Sequence, residues 1–397
     1  MIMPLRKKPA FFLLFLLISF GSVTSILFTP GLPEISAYFG VSRHAAQMLL
    51  ALFLIGITAG QLLYGPLANG CGRKKALYTG IILEITGALI CALSARFLAF
   101  WLLSAACVFM ALGASVGLIA SFTLIADSHT EEESAAAVSH LMIAFAVMPG
   151  IGVAIGGFLA QHFGWQSCFY FLALYGMFLL YLVYQMEETV LSIDPGALKF
   201  SRIFYQYSRK LKNKQLLSGA ALMGCTTAFA FIFSALSPFI AMQLMHLSPS
   251  QYGLWSLLPL TGIIIGSQLS AYFAKKLRSI HTVLLGIAIV ISGTLAMLAA
   301  FILHHLIAIW LFLPFAIIYA GNALIFANAS TLVMQSAQDK AGASAMMNFI
   351  NMGIAAVSVL LIGLIPAQSS LLLPIVYVIL AMLTLLLSMA LRRNANS

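Results

Sequence analysis

Long apolar stretches dominate this sequence, and their length restricts the fold more than any other feature. A helix that crosses a bilayer needs about 20 consecutive, mainly apolar residues. Such segments recur near residues 10–30, 45–69, 76–95, 98–126, 134–160 and 165–186. Six more follow near 215–244, 250–274, 281–303, 306–334, 341–365 and 370–391. No soluble core accommodates this pattern: 62% of the residues are apolar, 8% are charged and the mean hydropathy is +1.05. The bilayer is therefore the solvent, and an all-α integral membrane protein with twelve transmembrane helices is expected.

The placement of charge gives these spans a direction. Arg6-Lys7-Lys8 ahead of an apolar run has the look of a signal peptide, but no small-residue cleavage site follows, and the run is taken as the first span. Of the 20 Lys and Arg, eighteen fall in the N-terminal tail, in alternate loops or after the last span, and only Arg43 and Arg96 fall on the other side. By the positive-inside rule, the basic side is cytoplasmic and carries both termini of a multi-pass protein of the bacterial inner (plasma) membrane. Cys71, Cys91, Cys107, Cys168 and Cys225 lie in or beside apolar spans without metal-site or disulfide spacing, and are expected to pack.

The polar stretch Glu187 to Lys214 divides the chain into an N-terminal six-helix bundle (1–186), a cytoplasmic linker (187–214) and a C-terminal six-helix bundle (215–397). Within the linker Phe200, Ile203, Phe204, Tyr207 and Leu211 recur at helical spacing among basic residues, which predicts an amphipathic helix on the membrane surface. The two bundles are related. Gly56 to Leu63 (GITAGQLL) is similar to Gly262 to Leu269 (GIIIGSQL) at an offset of 206 residues, and Thr123-Leu124 and His140 match Thr331-Leu332 and Asn348 at 208. Six intervening spans give both copies the same direction, hence two parallel six-helix repeats. Gly-x-x-x-Gly pairs at 56/60, 113/117, 152/156 and 262/266 predict close helix crossings.

Between the second and third spans runs Tyr64-Gly65-Pro66-Leu67-Ala68-Asn69-Gly70-Cys71-Gly72-Arg73-Lys74-Lys75. Glycines permit a turn there, and the cations can pair with carboxylates or helix C-termini. This loop resembles the signature of the major facilitator superfamily, Gly-x-Leu-Ala-Asp followed by Gly-Arg-Arg/Lys, with Asn69 in place of the Asp. Phe163-Gly164-Trp165, Ser237-Pro238-Phe239, Asn328 and Ala341 to Ala345, in order, narrow the resemblance to the drug:proton antiporters of the bicyclomycin and chloramphenicol resistance (Bcr/CflA) type. The resemblance implies the major facilitator fold, with Gly65, Asn69, Gly72, Arg73, Lys74 and Asp127 as a conformational latch and Gly152, Gly156 and Gly157 packing the fifth span. Pro149-Gly150 replaces that family's Gly-Pro pair. The acid that many such exporters carry in the first span falls on Ile26, and their fourth-span Arg falls on Cys107.

Glu84 is the one charged residue well inside a span. A carboxylate there has to stay protonated or find a polar partner, so Glu84 is a proton-coupling candidate, with a structural hydrogen bond as the stronger reading. Gly80, Glu84, Gly87 and Cys91 share one helical stripe, which turns Glu84 toward another helix. His140 is a second proton-coupling candidate. The acids around His129 are expected to be solvated or to pair with Arg73 and Lys74, and no metal site is expected there or at the adjacent His304-His305. The resemblance places a central pathway among spans one, two, four, five, seven, eight, ten and eleven. Its polar candidates are Ser22, Ser25, Gln47, Ser115, Thr226, Thr227, Asn322, Asn328, Asn348 and Asn351, with Phe229, Phe231, Phe233, Tyr319 and Phe326 as apolar surface.

No Ser/His/Asp set, HExxH or nucleotide-binding loop occurs, so neither an enzyme nor an ATP-driven pump is expected, and no cofactor. The expected function is secondary active transport of a small organic solute by alternating access, with proton-coupled efflux of multidrug type as the leading form. Import or export of one metabolite or iron chelator (siderophore) is the alternative, and a non-transporting receptor or scaffold the second. The partners expected are a small-molecule substrate, protons and the lipid bilayer, with no nucleic acid, and the chain is expected to act as a monomer.

Overall fold

The structure, a computed structural model, describes residues 9–128, 130–190, 193–198, 213–274, 276–336, 340–365 and 369–395. Twelve helices among them are long and apolar enough to cross a membrane. Spans 1 to 6 are Phe11–Phe39, Arg43–Cys71, Arg73–Phe97, Phe100–Ser128, His140–Phe163 and Gln166–Gln185. Spans 7 to 12 are Lys214–Leu244, Pro249–Ala274, Ser279–Ile302, Ala308–Gln335, Ala343–Gly363 and Leu372–Arg392. No strand occurs among the described residues. The chain is thus all-α, and its spans fall where the apolar stretches predict them.

Span 1 differs most, running nine residues beyond its expected end near 30. Its apolar helix Phe11–Ile26 gives way to a 3-10 turn at Thr29–Gly31, and a second helix Leu32–Phe39 continues to a left-handed cap at Gly40, φ 62°. Pro30 lacks an amide hydrogen and interrupts the ladder, while Pro33 suits the first turn of the next helix. Span 2 also departs from expectation. The helix continues through Gly65 and Pro66 to Cys71, so the turn is confined to Gly72, whose φ of 103° favours glycine. Span 5 likewise passes through Pro149 without ending.

By contacts the chain forms two compact units: residues 1–28 with 52–205, and residues 29–51 with 206–397. This division differs from a six-plus-six split in assigning Thr29–Ala51 to the second unit. In the first, Gly56 and Gly60 of span 2 let span 4 approach, for a Cβ at Gly56 would stand 2.7 Å from the Val108 carbonyl oxygen and one at Gly60 3.0 Å from that of Leu112. In the second, Gly262 and Gly266 of span 8 do the same against span 10, 1.9 and 2.3 Å from the Ala316 and Ala320 carbonyl oxygens. The glycines correspond at the offset of 206 and their targets at 208, so each repeat reproduces the same helix crossing. Gly152 and Gly156 of span 5 pack on Val23 and Leu27 of span 1, and Gly157 is buried.

The linker's beginning is part of the first unit, with Asp194 N–H donating to the Asn69 carbonyl at 3.0 Å. The amphipathic stretch Phe200 to Leu211 lies outside the described residues.

Candidate functional site

Three groups of polar residues stand out against the apolar spans. The first surrounds Gly72 in the first unit. Its positive φ reverses the chain so that Arg73 and Lys74 open span 3. The Arg73 Nε donates to Asp127 Oδ2, at the end of span 4, at 2.9 Å, with the two side chains 10% and 21% exposed. Its NH1 donates to the Asn69 Oδ1 at 2.5 Å. Asn69 thus accepts from the guanidinium without carrying a charge. Thr189 adds a hydroxyl to Asp127 Oδ2 at 3.1 Å.

Lys74 faces span 6. Its Nζ donates to the carbonyls of Tyr184 and Met186 at 2.8 and 2.7 Å, where a helix C-terminus favours a cation. Glu188 supplies the opposite charge at the start of span 3. Its two carboxylate oxygens accept the N–H groups of Arg73 and Lys74 at 3.0 Å each, and those of Thr189 and Val190 at 3.0 and 3.1 Å. An anion there satisfies orphan donors and the positive end of the helix dipole. Sequence reasoning missed Glu188 and Thr189. The available signal was scarcity: in a chain with ten acids, one that immediately follows a span has few solvated alternatives. Gly65, by contrast, has nothing within 4 Å of its Cβ position.

The second group centres on Glu84, which is fully buried. Its helical stripe lies against span 4: a Cβ at Gly113 would stand 2.3 Å from the Glu84 backbone nitrogen, Gly87 meets Met110, and Cys91 Sγ is 3.8 Å from Cys107 Sγ. Gly176 of span 6 leaves room for the carboxylate, since a Cβ there would stand 2.6 Å from Oε2. The expected structural hydrogen bond is absent. Neither Glu84 oxygen has a partner, because the surrounding groups are glycine, thiol and aliphatic atoms or donors already committed: the Tyr175 hydroxyl donates to the Leu16 carbonyl at 2.8 Å. His140, expected inside a pathway helix, is exposed and stands edge-on to Phe11 at 6.3 Å between ring centroids.

The third group is the polar interior of the spans. Ser22, Ser25, Ser115 and Thr226 spend their hydroxyls on carbonyls three residues back in their own helices. Asn328 bridges to the Ser270 hydroxyl at 3.0 Å and so ties span 10 to span 8. Asn322 donates to the Thr226 carbonyl at 3.3 Å, which leaves its buried Oδ1 without a donor. Asn351, 2% exposed, and Gln47, 5% exposed, likewise carry unpaired oxygens. Thr227 and Asn348 are half-buried. Beside them Phe233 stacks on Phe315 with ring centroids 3.7 Å apart, Phe315 meets Tyr319, and the Tyr377 hydroxyl donates to the Phe229 carbonyl at 2.8 Å.

No group of three or more His, Cys, Asp or Glu suited to a metal occurs among the described residues; His129, in the acidic turn, lies outside them. The buried polar groups offer hydrogen-bond acceptors inside apolar helices.

The uncharacterized transporter of Rickettsia felis is 28% identical over 332 residues, which cover 81% of this chain and 80% of that one. The chloramphenicol resistance protein CraA of Acinetobacter baumannii is 24% identical over 317 residues, 80% of this chain and 76% of CraA. The crystal structure of a D-xylose–proton symporter shares the fold with a TM-score of 0.77 at 14% identity, covering 96% of both chains. The family model described as Major Facilitator Superfamily matches residues 11–359. With twelve spans, the repeated span 2–span 4 crossing and the Gly72–Arg73 loop already in place, that match establishes that the chain belongs to the Major Facilitator Superfamily.

Proposed function

We propose that this protein is a secondary active transporter that exports a small, partly apolar organic solute in exchange for protons, in the manner of the bicyclomycin and chloramphenicol resistance type. The resemblance to CraA and the motifs in spans 2, 5 and 7 support the multidrug form. The bundles 1–186 and 215–397, joined by linker 187–214, would work by alternating access as a monomer in the inner membrane, with both termini cytoplasmic. Eighteen basic residues on one side support that orientation.

The observation that carries the reading is the set of unpaired acceptors at Asn322 and Asn351, buried in spans 10 and 11 of an aromatic-rich unit. Buried amide oxygens without donors are uncommon in native interiors. A solute that brings an N–H or O–H group completes them, and the aromatic rings take its apolar part. Proton coupling rests on Glu84. With Ile26 and Cys107 both buried and uncharged, it is the one buried acid among the described residues. The tests are solute accumulation in inverted vesicles under an imposed proton gradient, and the same assay on Glu84→Gln. Loss of gradient dependence with retained exchange supports the assignment, and unchanged gradient-driven transport refutes it.

A further inference from the structure

The second unit contains a partly polar pocket whose Arg43 and His44 have been given no role in transport. Span 2 contributes Arg43, His44 and Gln47; residues 43 and 47 lie one helical turn apart on the same face. Phe239, Leu244 and two further apolar residues of span 7, Ser369 and Ser370 ahead of span 12, and two leucines that open span 12 complete the wall. The cavity measures about 40 Å³. It adjoins an open hollow of about 430 Å³ that shares Arg43 and His44 and adds Gln243.

Three of the polar groups here lack partners, while the Ser369 hydroxyl accepts the Leu371 N–H at 3.2 Å. His44 Nδ1, Gln47 Oε1 and Gln243 Oε1 are all buried without a hydrogen bond, and Gln47 is 5% exposed. Arg43 has no carboxylate within ion-pair distance among the described residues. Among the described residues, no acid lines either space. A site with a cation, an imidazole, two amides and two hydroxyls, and no anion of its own, has the chemistry of an anion receptor. Each amide can turn so that its NH2 group faces the pocket.

We infer that this pocket binds the carboxylate of a molecule whose apolar remainder lies in the adjoining hollow. A cavity of about 40 Å³ holds roughly three water-sized atoms, enough for a carboxylate. The guanidinium of Arg43 accommodates a carboxylate through two parallel N–H donors. Gln47 and Gln243 supply further donors, and Phe239 and Leu244 contact the carbon next to the carboxylate. The assignment deepens the transport reading, and rests on it only in taking the carboxylate as part of the solute.

The test is direct binding of 4-fluorobenzoate to the purified full chain in non-ionic detergent, followed by fluorine NMR, with 4-fluorobenzamide as the neutral counterpart. Saturable binding of the benzoate is expected, with the benzamide at least about tenfold weaker, as the loss of a charge-assisted hydrogen bond implies. Arg43→Gln is expected to weaken benzoate by a similar factor, Arg43→Lys by less, and Arg96→Gln, an exposed arginine outside the pocket, not at all. Thermal melting of each variant shows that it is folded. Equal binding of both probes, benzoate binding unchanged in Arg43→Gln, or no saturable benzoate binding overturns the inference. None of these readouts requires transport. A chain that binds 4-fluorobenzoate and moves no solute refutes the transport reading and keeps the site; one that moves solutes and binds no 4-fluorobenzoate does the reverse.

Discussion

The carboxylate of Glu188 accepts the backbone N–H of Arg73 at 3.0 Å across 115 residues of sequence. Through this contact the linker caps the helix whose first side chain pairs with Asp127. The loop of the family signature, the end of span 4 and the exit from span 6 are thereby tied into one polar junction within the first unit.

Removing that cap leaves the first N–H groups of span 3 without their acceptor. Glu188→Ala is expected to destabilise the protein by about 1–3 kcal/mol, the usual cost of orphaned buried donors. Glu188→Gln keeps an acceptor and loses the charge, for about 1 kcal/mol. Thermal melts of the purified chain read both, and equal losses for the two variants would show that charge is not what Glu188 contributes.

Asn69→Asp restores the acid that the signature usually carries, beside the NH1 group of Arg73. Asn69 is exposed, so the gain in stability is expected to be small, about 0.2–1 kcal/mol. A stronger latch should nevertheless slow the conformational cycle, and initial rates of solute movement are expected to fall. A faster rate in this variant contradicts the latch role of the junction.

The glycines separate into those that helix approach requires and those that it does not. Gly262→Ala would bring a methyl group to 1.9 Å from the Ala316 carbonyl oxygen, and a loss of about 1–3 kcal/mol or more is expected, because backbone has to move. Gly65→Ala meets nothing within 4 Å and should be neutral or stabilising, by up to about 1 kcal/mol of helix propensity. Melting temperatures in detergent distinguish the two.

Glu84 has a cost if its role is functional. Replacing a buried, unpartnered polar group by an apolar one of similar shape is neutral or favourable, so Glu84→Met should melt at or above the wild-type temperature while losing gradient-driven transport. A sharp drop in melting temperature would assign Glu84 to structure.

The architecture was legible because it depends on local patterns. Apolar length sets the spans, and Gly-x-x-x-Gly marks the crossings of Gly56, Gly60, Gly262 and Gly266. Contacts made by single residues across long separations leave no such period. Glu188 on Arg73 is one case, and the pocket that Gln47 lines together with Ser369 and Ser370 is another. Helical position placed His140 in its helix but did not fix which way its side chain turns. Glu84 was visible as an anomaly, whereas the absence of any donor around it was not, because the emptiness is created by Gly176 from another span.

The most direct measurement reconstitutes the full chain in liposomes, imposes a proton gradient and follows a panel of small organic solutes. The account predicts gradient-driven movement of at least one solute by the wild-type protein, and gradient-independent exchange of that same solute by Glu84→Gln. Wild-type protein that is folded and inserted, yet moves no solute in either gradient direction, would contradict it.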